Sequence, residues 1–385
     1  MKIALVLIIL YLSLSCTTRS QAGKEKTISS PTDTQIISKK KVLPDTLRLL
    51  FAGDLMQHKE QINAARTKTG GFDYSPYFKY VKDEIQKADF AIANLEVTLG
   101  GKPYTGYPTF SAPDEYLTAI HEAGFNVLLT ANNHSLDRRK RGLERTIKKL
   151  DSLKIQRAGS YLSLTERKQK YPLILNKNGI RIAILNYTYG TNGIRPTTPN
   201  IINYIDTITM SHDIEASKAL KPDAIIACMH WGIEYQSLPN KEQKFLANWL
   251  LNKGVNHVIG SHPHVVQPIE LRKDSLTSSK HLIVYSLGNY ISNMSARKTD
   301  GGIMVSMELV KDSTTRLSRC GYSLVWTARP IQSKKKNYQL LPVNFPTDSI
   351  PKNIRNSLNI FTNDTRSLFS KHNEGIKEYF FYEKK

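Results

Sequence analysis

The chain has 385 residues, 40% of them hydrophobic, enough to bury a large core, so one large α/β domain with appendages is the natural expectation. Its formal charge of +21, from 54 Lys and Arg against 33 Asp and Glu, favours polyanionic partners. The basic residues are scattered, and the runs Lys39-Lys40-Lys41 and Lys334-Lys335-Lys336 are too short to make a nucleic-acid patch, so no nucleic acid is expected as a partner.

Met1 and Lys2 open a short positive segment, followed by an apolar run from Ile3 to Ser15. A span of a ~30 Å bilayer needs ~20 residues, so this run suits a signal peptide instead. It ends in "LSLSC", which resembles a bacterial lipobox with Cys16 as the acylated residue, although Ser13 stands where an aliphatic residue is usual. Residues 1–15 are therefore expected to be a signal peptide, and residues 16–45 a lipidated cysteine and a flexible tether rich in Ser, Thr, Lys and Gln. A membrane-anchored protein of the bacterial cell envelope follows. The other two cysteines, Cys228 and Cys320, lie in apolar strand-like segments and read as buried thiols.

The folded part is expected over residues 46–345, with a helical C-terminal extension over 346–385. Leu47 to Asp54 reads as the first strand. Pro76 to Ala88 follows as an amphipathic segment with Tyr80, Val81 and Ile85 on one face. "FAIANLE" (Phe90 to Glu96) is a second strand. A helix from Pro113 to Ala123 is capped by Gly124, and Asn126 to Ala131 is a third strand. A helix runs from Arg139 to Leu153. Asn178-Gly179 marks a hairpin between two further strands. "DAIIACMHWG" is a strand, and Asn240 to Lys253 a helix with Phe245, Leu246, Trp249 and Leu250 on its apolar side. "VNHVIGSHPH", "HLIVYSLGNY" and "GGIMVSMELV" are read as strands, Gly321 to Val343 as further strand, and the tail from Pro351 as helix. Alternating strands and helices predict an α/β sheet with helices on both faces.

Five apolar strands each end in metal-capable side chains: Asp54, Glu96, the Asn132-Asn133-His134 triplet, His230, and the pair His262 and His264. In α/β sheets, sites form beyond the carboxyl ends of strands. A mixed N/O donor set of this kind suits Mn, Fe or Zn better than Ca or Mg. With the chain extended through Pro263, His262 and His264 would share one side. The other histidines are read as structural or surface, with His257 preceding its strand and pointing away.

"FAGDLM", "NLE", "TANNHSLDRRKRGL", "NYTYGTNG", "HWGIEY", "GVNHVIGSHPHVVQPIE" and "YSLGNYISN" together resemble the CapA family of bacterial poly-γ-glutamate capsule synthesis proteins, from about Leu47 to Val310. The resemblance implies a four-layered βαβ sandwich of the calcineurin-like metallophosphoesterase type with a dinuclear metal site. It implies metal ligation by Asp54, Glu96, Asn133, His230, His262 and His264, with His134 as the catalytic proton donor. The family fold's first motif is Asp-x-His, but Met56 occupies the third position here. A thioether is a poor ligand for such metals, so one strong site and one weak or empty site are expected.

Asn94, Asn132, Tyr187, Tyr189, Asn192, Glu234, Tyr235 and Asn289 are expected to contact substrate. Tyr187 to Pro199 is read as a mobile or substrate-covering loop. Gly288 is read either as a point of close backbone approach or as a tight turn. Three functions compete: a metal-dependent hydrolase or transferase that acts on a capsule-like anionic polymer, with other capsule-synthesis subunits as candidate partners of the protein; a non-catalytic polymer-binding or export subunit; and a periplasmic phosphoesterase acting on phosphorylated substrates.

Overall fold

Residues 45–274, 279–333, 336–346, 348 and 350–382 are described by a computed structural model. The predicted signal peptide, Cys16 and the tether lie outside these residues. In chain order the described strands are β1 Asp45–Leu55, β2 Phe90–Leu95, β3 Val127–Leu129, β4 Gln156–Ala158, β5 Ser160–Tyr161, β6 Leu173–Lys177, β7 Ile180–Thr188, β8 Ile201–Ile202, β9 Ala224–His230, β10 His257–Ser261, β11 Ile269–Lys273, β12 Lys280–Val284, β13 Asn289–Ile291, β14 Gly301–Lys311, β15 Thr315–Ala328 and β16 Gln339–Pro342. The helices are α1 Lys59–Ala65, α2 Lys82–Ile85, α3 Asp114–Ala123, α4 Arg139–Ser152, α5 Leu164–Lys170, α6 Thr207–Ala219, α7 Lys241–Asn252, α8 Pro330–Ser333 and α9 Lys352–His372.

Two sheets stack face to face. The first has the order β16-β15-β14-β1-β2-β3-β4, with β13 added beside β1; the second has the order β11-β12-β10-β9-β7-β6. β1 to β4 are mutually parallel, as are β7, β9, β10 and β12. The period-2 alternation of β1 decides which layer each side chain joins. Leu47, Leu49 and Phe51 enter a core with Ile182, Ile184, Ile226 and Val258 of the second sheet. Leu50 and Ala52 enter another with Tyr77, Phe78, Tyr116 and Ile120. α6 and α7 cover the second sheet with Met210, Ile214, Leu246 and Leu250. The layers are thus helix, sheet, sheet, helix, the four-layered α/β sandwich.

Several expectations change in detail. The amphipathic segment Pro76–Ala88 is not one continuous element but a 3₁₀ turn, Ser75–Phe78, followed by the four-residue α2. Val81 and Ile85 pack under the first sheet, whereas Tyr80 turns to Phe345. In α7 the buried residues are Gln243, Leu246, Ala247 and Leu250, and Phe245 is exposed. The segment "HLIVYSLGNY" is split: β12 stays in the second sheet, and β13 crosses to pair with β1 in the first. Gly288, at φ +69°, makes that crossing possible. Gly321–Val343 divides into parts of β15 and β16 around α8. The predicted hairpin forms at Asn178 and Gly179, both with positive φ. The C-terminal helix α9 packs on β15 through Phe369 and Tyr322, with ring centroids 4.8 Å apart.

Candidate metal centre

The carboxyl ends of β1, β2, β3, β9 and β10 gather at one edge of the sandwich, because these strands run parallel within each sheet. Asp54 is placed by a register shift in β1: Ala52 pairs with Ala93, then Asp54 pairs with Asn94. Gly53 makes this possible, since a Cβ there would lie 1.9 Å from the Gly288 carbonyl oxygen. That carbonyl accepts the Asp54 amide at 3.0 Å, so Gly288 is a point of close backbone approach as well as a turn. Glu96 follows β2, and His230 ends β9.

His262 and His264 are not extended. Their φ values are +101° and +59°, in the left-handed region that costs non-glycine residues about 1–3 kcal/mol each. Both rings nevertheless face one cluster, with centroids 5.9 Å apart. The expected geometry is corrected and the expected convergence is found.

Glu96 Oε1 lies 3.8 Å from His230 Nε2 and 3.8 Å from His264 Nε2, between the two imidazoles. Asn133 Oδ1 is 2.8 Å from His230 Nε2. Asp54 Oδ2 is 3.5 Å from His264 Nδ1. Three groupings bring ligand atoms within 4.8 Å of one another: Glu96, His230 and His262; Asp54, Glu96 and His264; and Glu234, His262 and His264. All six predicted metal-binding residues are therefore brought together. Glu234, expected to contact substrate, stands in the third grouping with the ligands.

The fit to a cation rests on unsatisfied atoms. Asp54 Oδ2, Glu96 Oε1 and His262 Nδ1 are buried without a hydrogen-bond partner. Buried polar atoms in folded proteins are normally paired, and these three are acceptors or ligand atoms directed at one cluster. Burial and the neighbouring Asp54 push the Glu96 carboxyl well above its usual range. Burial and the adjacent imidazoles push His230 well below its usual value, and His262 down to about 3. Burial alone would lower His264 too, but the Asp54 carboxylate 3.5 Å away raises it. His230 and His262 are thus held in the neutral form a divalent cation requires, and a cation would favour the ionised Glu96 carboxylate and the neutral His264 ring.

A second layer holds these side chains in place. Asn94 Nδ2 donates to Asp54 Oδ1 at 2.8 Å and to Glu96 Oε2 at 3.2 Å, and lies 3.3 Å from His230 Nδ1. Asn132 Nδ2 donates to Asn94 Oδ1 and to the Leu95 carbonyl. Asn289 Oδ1 accepts from His264 Nδ1 at 3.0 Å, which leaves Nε2 facing the cluster. These three asparagines were expected to touch substrate; they are buried and hydrogen-bond to, or behind, the clustered side chains instead.

Tyr187 is a clear correction. It points into the core, donates to Asp213 Oδ2 at 2.9 Å and packs against Tyr171. Its neighbour two residues on, Tyr189, is half exposed, and its ring lies 4.5 Å from His262 and 6.3 Å from His230. Asn192 Oδ1 accepts from Asn133 Nδ2 at 3.4 Å, so the Tyr187–Pro199 loop does border the centre. Tyr235 lies 6.2 Å from His264. Burial and then the charge of Glu234 raise both tyrosines to about 12.

His134 hydrogen-bonds through Nδ1 to Asp137 Oδ2 at 2.8 Å. Sequence reasoning missed Asp137, whose signal was its i,i+3 spacing in "HSLD". Met56 is buried in the apolar cluster containing Tyr74, Tyr77 and Tyr116. His257 belongs to β10 rather than preceding it, and its Nδ1 accepts the Leu282 amide at 3.0 Å, far along the strand from the centre. Cys228 and Cys320 are free thiols, Cys228 buried.

The fold and centre define a two-sheet α/β protein with a buried histidine–carboxylate donor set at the carboxyl edge of its parallel strands. The chain belongs to the family described as "Bacterial capsule synthesis protein PGA_cap", which it matches over residues 48–294. It is 28% identical over 293 residues to the PGA biosynthesis protein CapA of Bacillus subtilis (strain 168), covering 71% of this chain and 70% of that protein. It is 27% identical over 289 residues to the capsule biosynthesis protein CapA of Bacillus anthracis, covering 71% of this chain and 66% of that one. Among solved structures it is similar to the calcineurin-like phosphoesterase YfkN from Bacillus subtilis, at 12% identity over 84% of this chain and 98% of the other, with a TM-score of 0.42.

Proposed function

We propose that the chain is an envelope-anchored lipoprotein, acylated at Cys16, that takes part in making or exporting a capsule-like anionic polymer through a metal-dependent hydrolase or transferase site. Poly-γ-glutamate is the polymer its relatives' names suggest. The observation that carries this reading is the convergence of Asp54 Oδ2, Glu96 Oε1 and His262 Nδ1, buried and unpartnered, on one cluster.

The residues divide the work. Glu96, Asn133, His230 and His262 form the stronger ligand set, and Asp54, Glu96, His264 and Glu234 the weaker. A divalent ion of the Mn, Fe or Zn type would supply Lewis-acid polarisation of a carbonyl or phosphoryl oxygen there. His134, with Nδ1 held by Asp137, presents Nε2 to donate a proton to a leaving amine or alkoxide. Tyr189 and Tyr235 flank the centre and would position the chain on either side of the reacting bond. Without a cation the acidic centre would repel an anionic substrate, so binding and chemistry depend on the same ligands.

A non-catalytic polymer-binding role is the second reading, and Met56 favours it, since it removes one ligand from the family fold's first motif. The deciding experiment is elemental analysis of the purified protein beside the His262→Ala/His264→Ala variant. Near-stoichiometric metal lost in the variant supports the catalytic reading and justifies screening phosphoesters and γ-glutamyl polymers. Wild-type protein that takes up neither Mn, Fe nor Zn would leave polymer binding as the function.

A further inference from the structure

The segment that follows β13 joins the metal centre to a groove of about 340 Å³ bordered by Arg297, Lys298, Asp300, Arg329, Gln332 and Ser357. The connection is direct. Asn289, which orients His264, donates through Nδ2 to the Thr299 carbonyl at 2.8 Å. Lys298, the residue before, reaches Ser237 Oγ at 3.3 Å, in the loop that carries Glu234 and Tyr235. The groove therefore begins where the Tyr235 side of the centre ends.

Its charge is unevenly neutralised. Arg297 is held by both Asp364 oxygens, at 2.6 and 2.7 Å. Lys298 and Arg329 have neutral partners, the Ser237 hydroxyl and Gln332 Oε1. Asp300 is turned inward to accept Trp326 Nε1 at 2.7 Å, and burial raises its carboxyl above the usual range. Lys298 is held at φ +75°, a strained conformation for a lysine. Asp364 and Asp300 lie within electrostatic reach of Lys298 and Arg329, but neither cation forms a salt bridge, and with serine and glutamine side chains beside them they suit an anion better than solvent alone.

We infer that this groove is a second subsite, which holds carboxylates of an acidic polymer through Lys298 and Arg329 while a bond further along the same chain lies at the metal centre. The inference rests on the polymer reading of that centre and gives it a direction, with the chain running from Tyr235 past Ser237 into the groove. It also predicts a preference for long substrates, which can occupy the centre and the groove at once.

The test measures binding of a γ-glutamyl oligomer of about ten residues and of a single γ-glutamyl unit to the full-length protein in detergent. Wild type is compared with Lys298→Gln/Arg329→Gln. Each lost charge-assisted hydrogen bond is worth about 1.5–3 kcal/mol, at least tenfold in affinity. The double variant should therefore bind the oligomer at least tenfold more weakly, with unchanged metal content and unchanged affinity for the single unit. Oligomer affinity equal to wild type, or equal losses for both ligands, would overturn the subsite and leave the polymer reading standing. Polyphosphate of matched length preferred over the oligoglutamate would overturn the carboxylate assignment. A wild type that binds no acidic oligomer would overturn the polymer reading and the subsite with it.

Discussion

His134 Nδ1 lies 2.8 Å from Asp137 Oδ2, and the same oxygen accepts the Phe110 amide at 2.7 Å. Asp137 is thus fixed from two directions and can hold one tautomer of His134. A positioned general acid of this type contributes about 10²–10⁴ in rate. His134→Ala should lose turnover by that factor on γ-glutamyl or phosphoester substrates while metal content stays at the wild-type level. Asp137→Asn should lose less and should shift the pH profile of kcat, because it acts only through His134. Metal loss in His134→Ala would reassign that residue as a ligand.

Asn94 ties three ligands together, touching Asp54, Glu96 and His230 from behind. Removing such outer partners typically weakens metal binding by about 10–100-fold. Asn94→Ala should do so in competition titrations with a chromophoric chelator, with an unchanged circular dichroism spectrum. Wild-type affinity in that variant would mean that the ligands are held by their strands alone.

The two acceptor sets predict unequal sites. Glu234 is half-buried, whereas Glu96, His230 and His262 are buried. Glu234→Gln should remove the weaker equivalent of metal and leave the tighter one, read as two-step binding collapsing to one step. Loss of both equivalents would place Glu234 in the tight site.

Much of this was legible in sequence because strand ends are marked twice, by an apolar run and by the polar residue that stops it. Asp54, Glu96, His230 and His262 were picked out that way, and the structure brings their side chains into one cluster. What failed was direction. Tyr187 and Tyr189 look equivalent in "NYTYG", but Tyr187 still belongs to β7 and enters the core, whereas Tyr189 follows the strand end. Asn94, Asn132 and Asn289 look like substrate contacts until their partners are known. The positive φ of His262, His264 and Tyr235 follows from tertiary packing, which local pattern does not encode. α6 was missed because its buried positions include Asp213 and Ser217 beside Met210 and Ile214, which blurs the apolar period; Asp213 is paired by Arg167 and Tyr187.

Gly53→Ala tests how the centre is assembled. The added Cβ would meet the Gly288 carbonyl oxygen at 1.9 Å, and backbone there has little freedom to move. Overpacking of this kind costs about 1–3 kcal/mol or more. The variant should unfold at lower denaturant and bind metal more weakly, since Asp54 and Asn289 are aligned through that contact. Stability equal to wild type would show that β1 and β13 can separate freely.

His257 gives a pH signature away from the metal. Burial lowers it from 6.5 to about 3, and the nearby His281 adds to the effect. Its Nδ1 accepts the Leu282 amide, so the folded state keeps it neutral. Between those two values the unfolded chain binds a proton that the folded chain does not. Stability from this group is therefore complete above pH 6.5 and falls as the pH drops towards 3, by about 1.4 kcal/mol per pH unit. In chelator-treated protein, the urea stability of wild type and His257→Asn should be compared from pH 7 to pH 4. The variant should be less stable at pH 7, having lost part of the buried ring, and the gap should narrow steadily on acidification. A gap that stays constant across that range would mean that His257 titrates in the folded state much as it does in the unfolded chain.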